Sequence, residues 1–230
     1  MSLIVSAIIQ VRSGSKRFPK KSHAKLGNLN IIDWVVKRTK RSKHIDQIIL
    51  ATTNLKEDKI FQGTAEEHKI KIFFGERENV LKRFIDASNF FYTDIIVRIC
   101  ADNPFIAPEF LDELIIFFKE NHCDLSFNHQ SKLNHKVVDG FGAEIFKKDT
   151  LEKILKKKIN KSQSEHVTKF FWDNYKNIRI LACPVKKIFQ NSSIKFDIDY
   201  QNDLLKLNNF IEKHKFNFNT SAEELMRAYE

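Results

Sequence analysis

Between residues 3 and 127, runs of apolar and β-branched residues alternate with segments of helical period, and few folds accommodate that order. Strand-like runs fall at Leu3–Val11, Gln47–Thr52, Lys71–Phe74, Ile95–Cys100 and Asp124–Phe127. Helix-like segments lie between them, at Ile31–Arg41, Glu57–His68, Glu78–Phe91 and Pro108–Asn121. A β-α-β-α order predicts an α/β architecture, a mostly parallel sheet with helices on both faces. Such sheets bind ligands beyond the carboxyl ends of their strands. The segments after Val11 and after Cys100 both begin at such ends.

The pattern changes near residue 128. A hairpin-like piece is expected over Lys136–Phe146, with Gly140 and Gly142 inside it. Two helical segments follow, then a strand at Arg179–Val185, a short strand at Ile194–Ile198 and a final helix from Tyr200 to about His214. No repeat or low-complexity linker divides the 230 residues, a length that suits one domain with a substantial core. Polar stretches at 128–134 and 160–164 read as surface loops.

The net charge of +10, from 39 basic and 29 acidic residues, favours an anionic partner. The charge is spread along the chain, and clusters such as Lys156–Lys158 read as solvated faces. Basic residues do not interleave with aromatics as in RNA readers, and no helix-turn-helix signal stands out, so a nucleic-acid partner is not expected. Cys100, Cys123 and Cys183 are too scattered for a disulfide framework, and there is no Cys-x-x-Cys. A reducing compartment, the cytoplasm, is the expectation. The Leu3–Val11 run is about half a membrane span and lacks signal-peptide flanks, so no membrane partner is expected.

Residues 8–21 read Ile-Ile-Gln-Val-Arg-Ser-Gly-Ser-Lys-Arg-Phe-Pro-Lys-Lys. An apolar strand here enters a loop of small residues and fixed positive charges, which suits a polyphosphate. Gly14, between Ser13 and Ser15, lets backbone N–H groups approach anionic oxygens. Arg12, Lys16, Arg17, Lys20 and Lys21 add charge-assisted donors. The loop has neither a Walker A nor a Gly-x-Gly-x-x-Gly pattern, so side chains are expected to hold the phosphates.

Two acidic sites accompany this loop. Asp102 follows a buried strand and stands before Asn103-Pro104, a place suited to a Mg²⁺ ligand or, alternatively, to capping the helix near Pro108. In Phe196-Asp197-Ile198-Asp199, an extended backbone puts both carboxylates on one side. That pair suits Mg²⁺, which takes hard oxygen ligands. The alternative has Asp199 capping the next helix and Asp197 paired with a lysine. Asp203 reads as structural. Positive side chains for phosphates, together with carboxylates for Mg²⁺, are the parts of phosphoryl-type transfer by positioning and electrostatics.

Further stretches carry a resemblance: Ile49–Thr53, Gly75-Glu76-Arg77-Glu78-Asn79-Val80-Leu81-Lys82-Arg83-Phe84, Arg98-Ile99-Cys100-Ala101-Asp102-Asn103-Pro104, Asp139–Phe146 and Ser164-Glu165-His166-Val167-Thr168. With the loop at 8–21, their order and spacing resemble the sugar cytidylyltransferases, in particular the spore-coat polysaccharide branch related to the acylneuraminate and ketodeoxyoctonate enzymes. The resemblance covers most of the chain. It implies a Rossmann-like core of the nucleotide-diphospho-sugar transferase type, and transfer of CMP from CTP to a sugar acid or sugar derivative. It implies Arg12, Lys21 and Asp102 as catalytic residues, and nucleotide contacts from Val11, Arg12, Ser13, Gly14, Ser15, Lys16, Arg17, Lys21, Thr52 and Ala101. Asp102, Asp197 and Asp199 would hold Mg²⁺, and Arg98, Glu144 and His166 would contact the acceptor. Members commonly dimerise, here through roughly 130–180. Lys20 stands where the family loop usually has glycine, and Ala101 where glycine is common. A transferase using UTP or dTTP, and a glycosyltransferase using a finished nucleotide-sugar, are the alternatives.

Overall fold

The computed structural model describes residues 3–15 and 17–229. The chain begins with β1 (Val5–Gln10), a small hairpin of β2 (Lys25–Leu26) and β3 (Leu29–Asn30), and α1 (Ile31–Thr39). Then come β4 (Gln47–Thr53), α2 (Ile60–Glu67), β5 (Lys71–Gly75), α3 (Val80–Phe90), β6 (Ile95–Cys100) and α4 (Pro108–Glu120). The later part holds β7 (Leu125–Phe127), β8 (Glu144–Lys147), α5 (Lys148–Leu155), α6 (Lys161–Glu165) and α7 (Lys169–Asp173). It closes with β9 (Ile180–Ala182), α8 (Gln201–His214) and α9 (Ala222–Tyr229).

Seven strands form one sheet in the order β5-β4-β1-β6-β8-β7-β9. β8 runs against β6 and β7, and the remaining pairings are parallel. Side-chain alternation splits β1 between two cores. Val5, Ala7 and Ile9 pack with Ile32 and Val35 of α1, Phe61 of α2 and Leu111 and Leu114 of α4. Ile8 faces the other way, with Leu81 and Phe84 of α3 and Phe171 of α7. A strand covered on both faces takes a nearly continuous apolar run, which is why Leu3–Val11, interrupted only by Ser6 and Gln10, lacks regular polar alternation. Helix starts are set locally: Asn79 Oδ1 accepts the Lys82 N–H at 2.9 Å, and Pro108 opens α4.

The abundant phenylalanines serve a third core beyond the strand ends. There Phe105, Phe141, Phe189 and Phe196 meet Trp34, α8 and α9, with the Phe141 and Phe196 rings stacked at 4.7 Å. This core accounts for three departures from the expected elements. Lys136–Phe146 is not a hairpin, because Val137, Val138 and Phe141 turn inward and only Glu144 onward joins the sheet, as β8. Ile194–Ile198 is extended but forms no strand ladder beyond one bridge between Asp139 and Lys195, since Phe196 and Ile198 are drawn into the aromatic core. A helix absent from the sequence reading, α9, covers that core with Ala222, Leu225 and Met226. The five strands and four helices expected between residues 3 and 127 stand within a few residues of their predicted limits, apart from a 3₁₀ turn at Lys56–Lys59 before α2; the short β2–β3 hairpin is an addition to them.

Candidate active site

Strand order reverses direction at β1. From β1 the chain adds β4 and β5 on one side, whereas β6 lies on the other. The loops leaving β1 and β6 diverge there and leave an open cleft of about 510 Å³. Of the expected nucleotide residues, Val11, Arg12, Gly14, Ser15, Arg17, Lys21 and Ala101 line it, with Asp102. Ser13 and Thr52 are outside the lining, and Thr52 is fully buried in the sheet. Lys16 lies outside the described residues. Gln10, Ser22, Arg77 and Cys100 also line the cleft and were not singled out from the sequence as site residues. Gln10 could have been noticed as a polar residue ending an apolar run, and Arg77 as a basic residue just past the end of β5. Burial pushes the Cys100 thiol up to about 11, which favours the protonated thiol over the thiolate.

The loop folds back on one carbonyl: Ser13 O accepts the N–H groups of Ser15 at 3.0 Å and Lys20 at 3.2 Å. To reach it, Lys20 adopts the left-handed conformation, φ 56°, ψ 24°. That backbone is the one glycine favours, so the glycine usual in the resembling loops and the lysine here serve the same turn. Lys20→Gly is expected to raise stability by about 0.5–1 kcal/mol, the strain of a Cβ in this region less the added freedom of the unfolded chain. An unchanged urea midpoint would refute it. A Cβ on Gly14 would meet nothing within 4 Å, so the protein itself makes no demand for glycine there; only a close ligand would.

The carboxylates meet the basic residues across the cleft. Lys21 Nζ donates to Asp102 Oδ2 at 2.9 Å and to the Ile198 carbonyl at 2.6 Å, and stands 3.7 Å from Asp199 Oδ1. Arg17 grips both oxygens of Asp199, at 3.0 and 2.7 Å, and its guanidinium lies over the Tyr200 ring. The Ile198 N–H donates to the Asp102 carbonyl at 2.9 Å, which locks the two acidic segments together. Neither helix-capping alternative holds. Ala107 precedes α4 as its cap, and Asp203 accepts the Asp199 and Tyr200 N–H groups at the start of α8.

Asp139 joins this acidic group because Gly140, at φ 103°, turns the backbone against Phe196 and Asp197, where a Cβ would come within 2.8 Å of the Phe196 carbonyl carbon. Burial, then the Asp197 charge, push the Asp139 carboxyl up to about 6. Burial also raises Asp197, against the pull of Lys195. Asp197 and Asp199 line a second cavity, of about 340 Å³, beside the cleft. Crowded carboxylates that hold an ammonium between them have the donor chemistry of a hard divalent cation. Among the described residues, three potential ligands converge within 4.8 Å only at Asp33, Glu67 and His68, where Asp33 already pairs with His68 and caps α1.

On the far side of Cys100, Arg98 donates to Glu144 Oε2 at 2.6 Å. Glu144 Oε1 accepts from Trp172 Nε1 at 3.1 Å and Gln130 Nε2 at 3.4 Å. Both Glu144 oxygens are therefore engaged, which favours a role as the support of Arg98 over direct contact with sugar hydroxyls. Lys132 sits 4.1 Å over the Trp172 ring. His166 is exposed at the end of α6 and outside the cleft lining; the helix after it carries Trp172 back to Glu144.

A switch-point cleft with guanidinium and ammonium groups facing carboxylates suits a nucleotide-handling α/β enzyme. The profile of the family described as cytidylyltransferase matches residues 6–230, and the chain belongs to that family. It is a nucleotidyltransferase. It is 34% identical over 210 residues to an uncharacterised protein of Methanocaldococcus jannaschii, covering 91% of this chain and 84% of that one. It is 28% identical over 224 residues to the spore coat polysaccharide biosynthesis protein SpsF of Bacillus subtilis, covering 95% and 91%. The solved structure of a cytidylyltransferase from Leptospira borgpetersenii superposes with a TM-score of 0.90 at 24% identity, over 98% of this chain and 93% of that one.

Proposed function

We propose that this cytidylyltransferase moves CMP from CTP to a sugar acid or related sugar, releases pyrophosphate and requires Mg²⁺. The observation that carries the reading is the convergence of Arg12, Arg17, Lys21 and Asp102 on one strand-end cleft, with Asp199 of the adjoining cavity paired to Arg17 and beside Lys21. An oxygen of the acceptor forms a bond to the α-phosphorus as the bond to the bridging oxygen breaks; pyrophosphate leaves with that electron pair, and the proton of an attacking hydroxyl passes to solvent water. Arg12 and Lys21 hold the triphosphate, and Arg17 adds charge at its end. Asp102 and Asp199, with Asp197 beside them, would hold Mg²⁺, which supplies neutralisation of phosphate charge. Lys21 contacts both of those carboxylates, so a cation held there would leave its ammonium to the phosphates. Arg98, fixed by Glu144, presents a positive group on the acceptor side.

The name of the Bacillus subtilis relative supports a place in polysaccharide biosynthesis. The basic balance of the chain suits an anionic acceptor and a cytoplasmic nucleotide pool, and among the described residues no helix is long and apolar enough to cross a membrane. A homodimer through roughly 130–180 belongs to the same proposal, supported by Leu133 and Tyr175, which expose 45% and 48% of their surface there. Sedimentation at the mass of a single chain would end that part.

Thermal melting with CTP, UTP, dTTP, ATP and GTP, each with and without Mg²⁺, tests the core of the reading. CTP with Mg²⁺ at 100 times its dissociation constant should add about 2.7 kcal/mol. For a chain of this size that is a shift of about 5–10 °C. Equal shifts with UTP would overturn the base assignment. No shift with any nucleotide would overturn the cleft assignment.

A further inference from the structure

A buried carboxylate outside the cleft holds the nucleotide loop. Asp58 lies in the 3₁₀ turn after β4 and is 1% exposed. Its Oδ1 accepts the Ser13 backbone N–H at 2.7 Å, across 45 residues of sequence. Its Oδ2 accepts the Thr53 hydroxyl. Thr53 Oγ1 in turn accepts the Leu55 N–H at 3.3 Å, and the Asp58 N–H returns to the Leu55 carbonyl at 3.0 Å. The end of β4 is thus wound into a rigid turn that presents one oxygen to the loop. The Ser13 hydroxyl adds a bond to the Glu57 carbonyl at 3.2 Å.

Ser13 is the residue on which the loop closes, since its carbonyl takes the N–H groups of both Ser15 and Lys20. Arg12 precedes it directly and Gly14 follows, and both line the cleft. Ser13 itself does not line the cleft; its N–H is spent on Asp58. Burying a carboxylate is costly unless its hydrogen bonds are in place, and a turn held only for stability would be cheaper with an apolar residue. The use of a charge here sets the direction of a single backbone N–H, and with it the orientation of the residues on either side.

We infer that Asp58 is a positioning residue for the nucleotide: by holding the Ser13 N–H it fixes Arg12, Gly14 and the turn closed by the Ser15 and Lys20 N–H groups in the form that receives a triphosphate, without touching the ligand. The inference rests on the cleft being the CTP site. Neither the carboxylate nor the turn that carries it belongs to the loop, and the distance along the chain hides their link.

Calorimetric titration with CTP and Mg²⁺ tests it on the full chain. Asp58→Ala should weaken CTP binding about 10- to 100-fold, the range of a lost hydrogen bond to a charged group. Asp58→Asn keeps the volume and an oxygen for the Ser13 N–H, and should recover binding to within about fivefold, as a neutral acceptor replaces a charged one. A lower melting temperature with unchanged CTP affinity in Asp58→Ala would mark a merely structural residue and overturn the inference, as would no recovery in Asp58→Asn. Amide exchange in the unaltered, ligand-free protein decides the case if Asp58→Ala does not fold. The Ser13 N–H should exchange at least about 100-fold more slowly than in an unstructured peptide, as a held amide does. Unprotected exchange at Ser13 would overturn the inference. A failure of CTP to bind the unaltered protein, with Ser13 protected, would instead remove the CTP reading and leave the loop anchor standing.

Discussion

Asp102→Asn is expected to fold as the parent does and to lose at least about 100- to 1,000-fold in turnover, the scale seen when one preorganised electrostatic group is removed. The side chain of Asp102 is 32% exposed, and its amide analogue fits the same space. The fold contact at this residue is through the backbone, where the Asp102 carbonyl accepts the Ile198 N–H, and the substitution leaves it intact. The carboxylate itself faces Lys21 and adds to the negative field that raises Asp139 and Asp197, so neutralising it relieves repulsion in the folded state. On the proposed reading, what is lost is a hard, charged oxygen that would hold Mg²⁺. Asp199→Asn should behave alike in turnover, with the added loss of the paired bonds from Arg17. Pyrophosphate release and Mn²⁺ binding by paramagnetic resonance, both with CTP, give the readouts. Unimpaired turnover in Asp102→Asn would remove it from the metal site.

The second large effect falls on stability. Glu144→Ala should cost about 3–5 kcal/mol, because it leaves a buried guanidinium without its partner. Glu144 is 1% exposed and the Arg98 side chain 16%, and the pair is closed at 2.6 Å. Trp172 Nε1 and Gln130 Nε2 lose their acceptor in the same step. In a chain of this length the melting temperature should fall by roughly 6–20 °C. Glu144→Gln retains an acceptor for Trp172 and should cost less. The pH dependence has a definite sign. Burial raises the Glu144 carboxyl, but Arg98, His129 and the bonds from Trp172 and Thr168 overcome it and hold the group below its ordinary 4.5. Its contribution is therefore present above the unfolded value and is lost as pH falls through the lower folded value. Parent and Glu144→Ala melting curves should converge in acid. A difference that persists unchanged to the lowest pH at which both fold would exclude the charge as its source.

Much of the parallel half was legible because its signals are local. An apolar run of five or six residues followed by a helical period needs no distant information to be read. The charged loop after β1 and Asp102 after β6 were legible for a related reason: both sit at strand ends, and strand ends in an α/β order face one edge. The later half was not, because its apolar residues had two possible destinations. Val137, Val138 and Phe141 could have paired in a hairpin, and instead the aromatic core took them, along with Phe196 and Ile198. No local pattern distinguishes those outcomes, since burial in a sheet and burial in a side-chain cluster ask for the same residue types.

By itself, then, the amino-acid sequence determined the strand-helix alternation, the residue types offered at each strand end and the resemblance that led to the family. The tertiary structure alone decided which groups meet. It set β8 in reverse between β6 and β7, which brings Glu144 to Arg98. It joined Lys21 to Asp102 across 81 residues, Arg17 to Asp199 across 182 and Ser13 to Asp58 across 45. Secondary structure follows from backbone preference and periodicity within one turn or strand, whereas a charge finds its partner only after strand order and loop path have brought remote segments together.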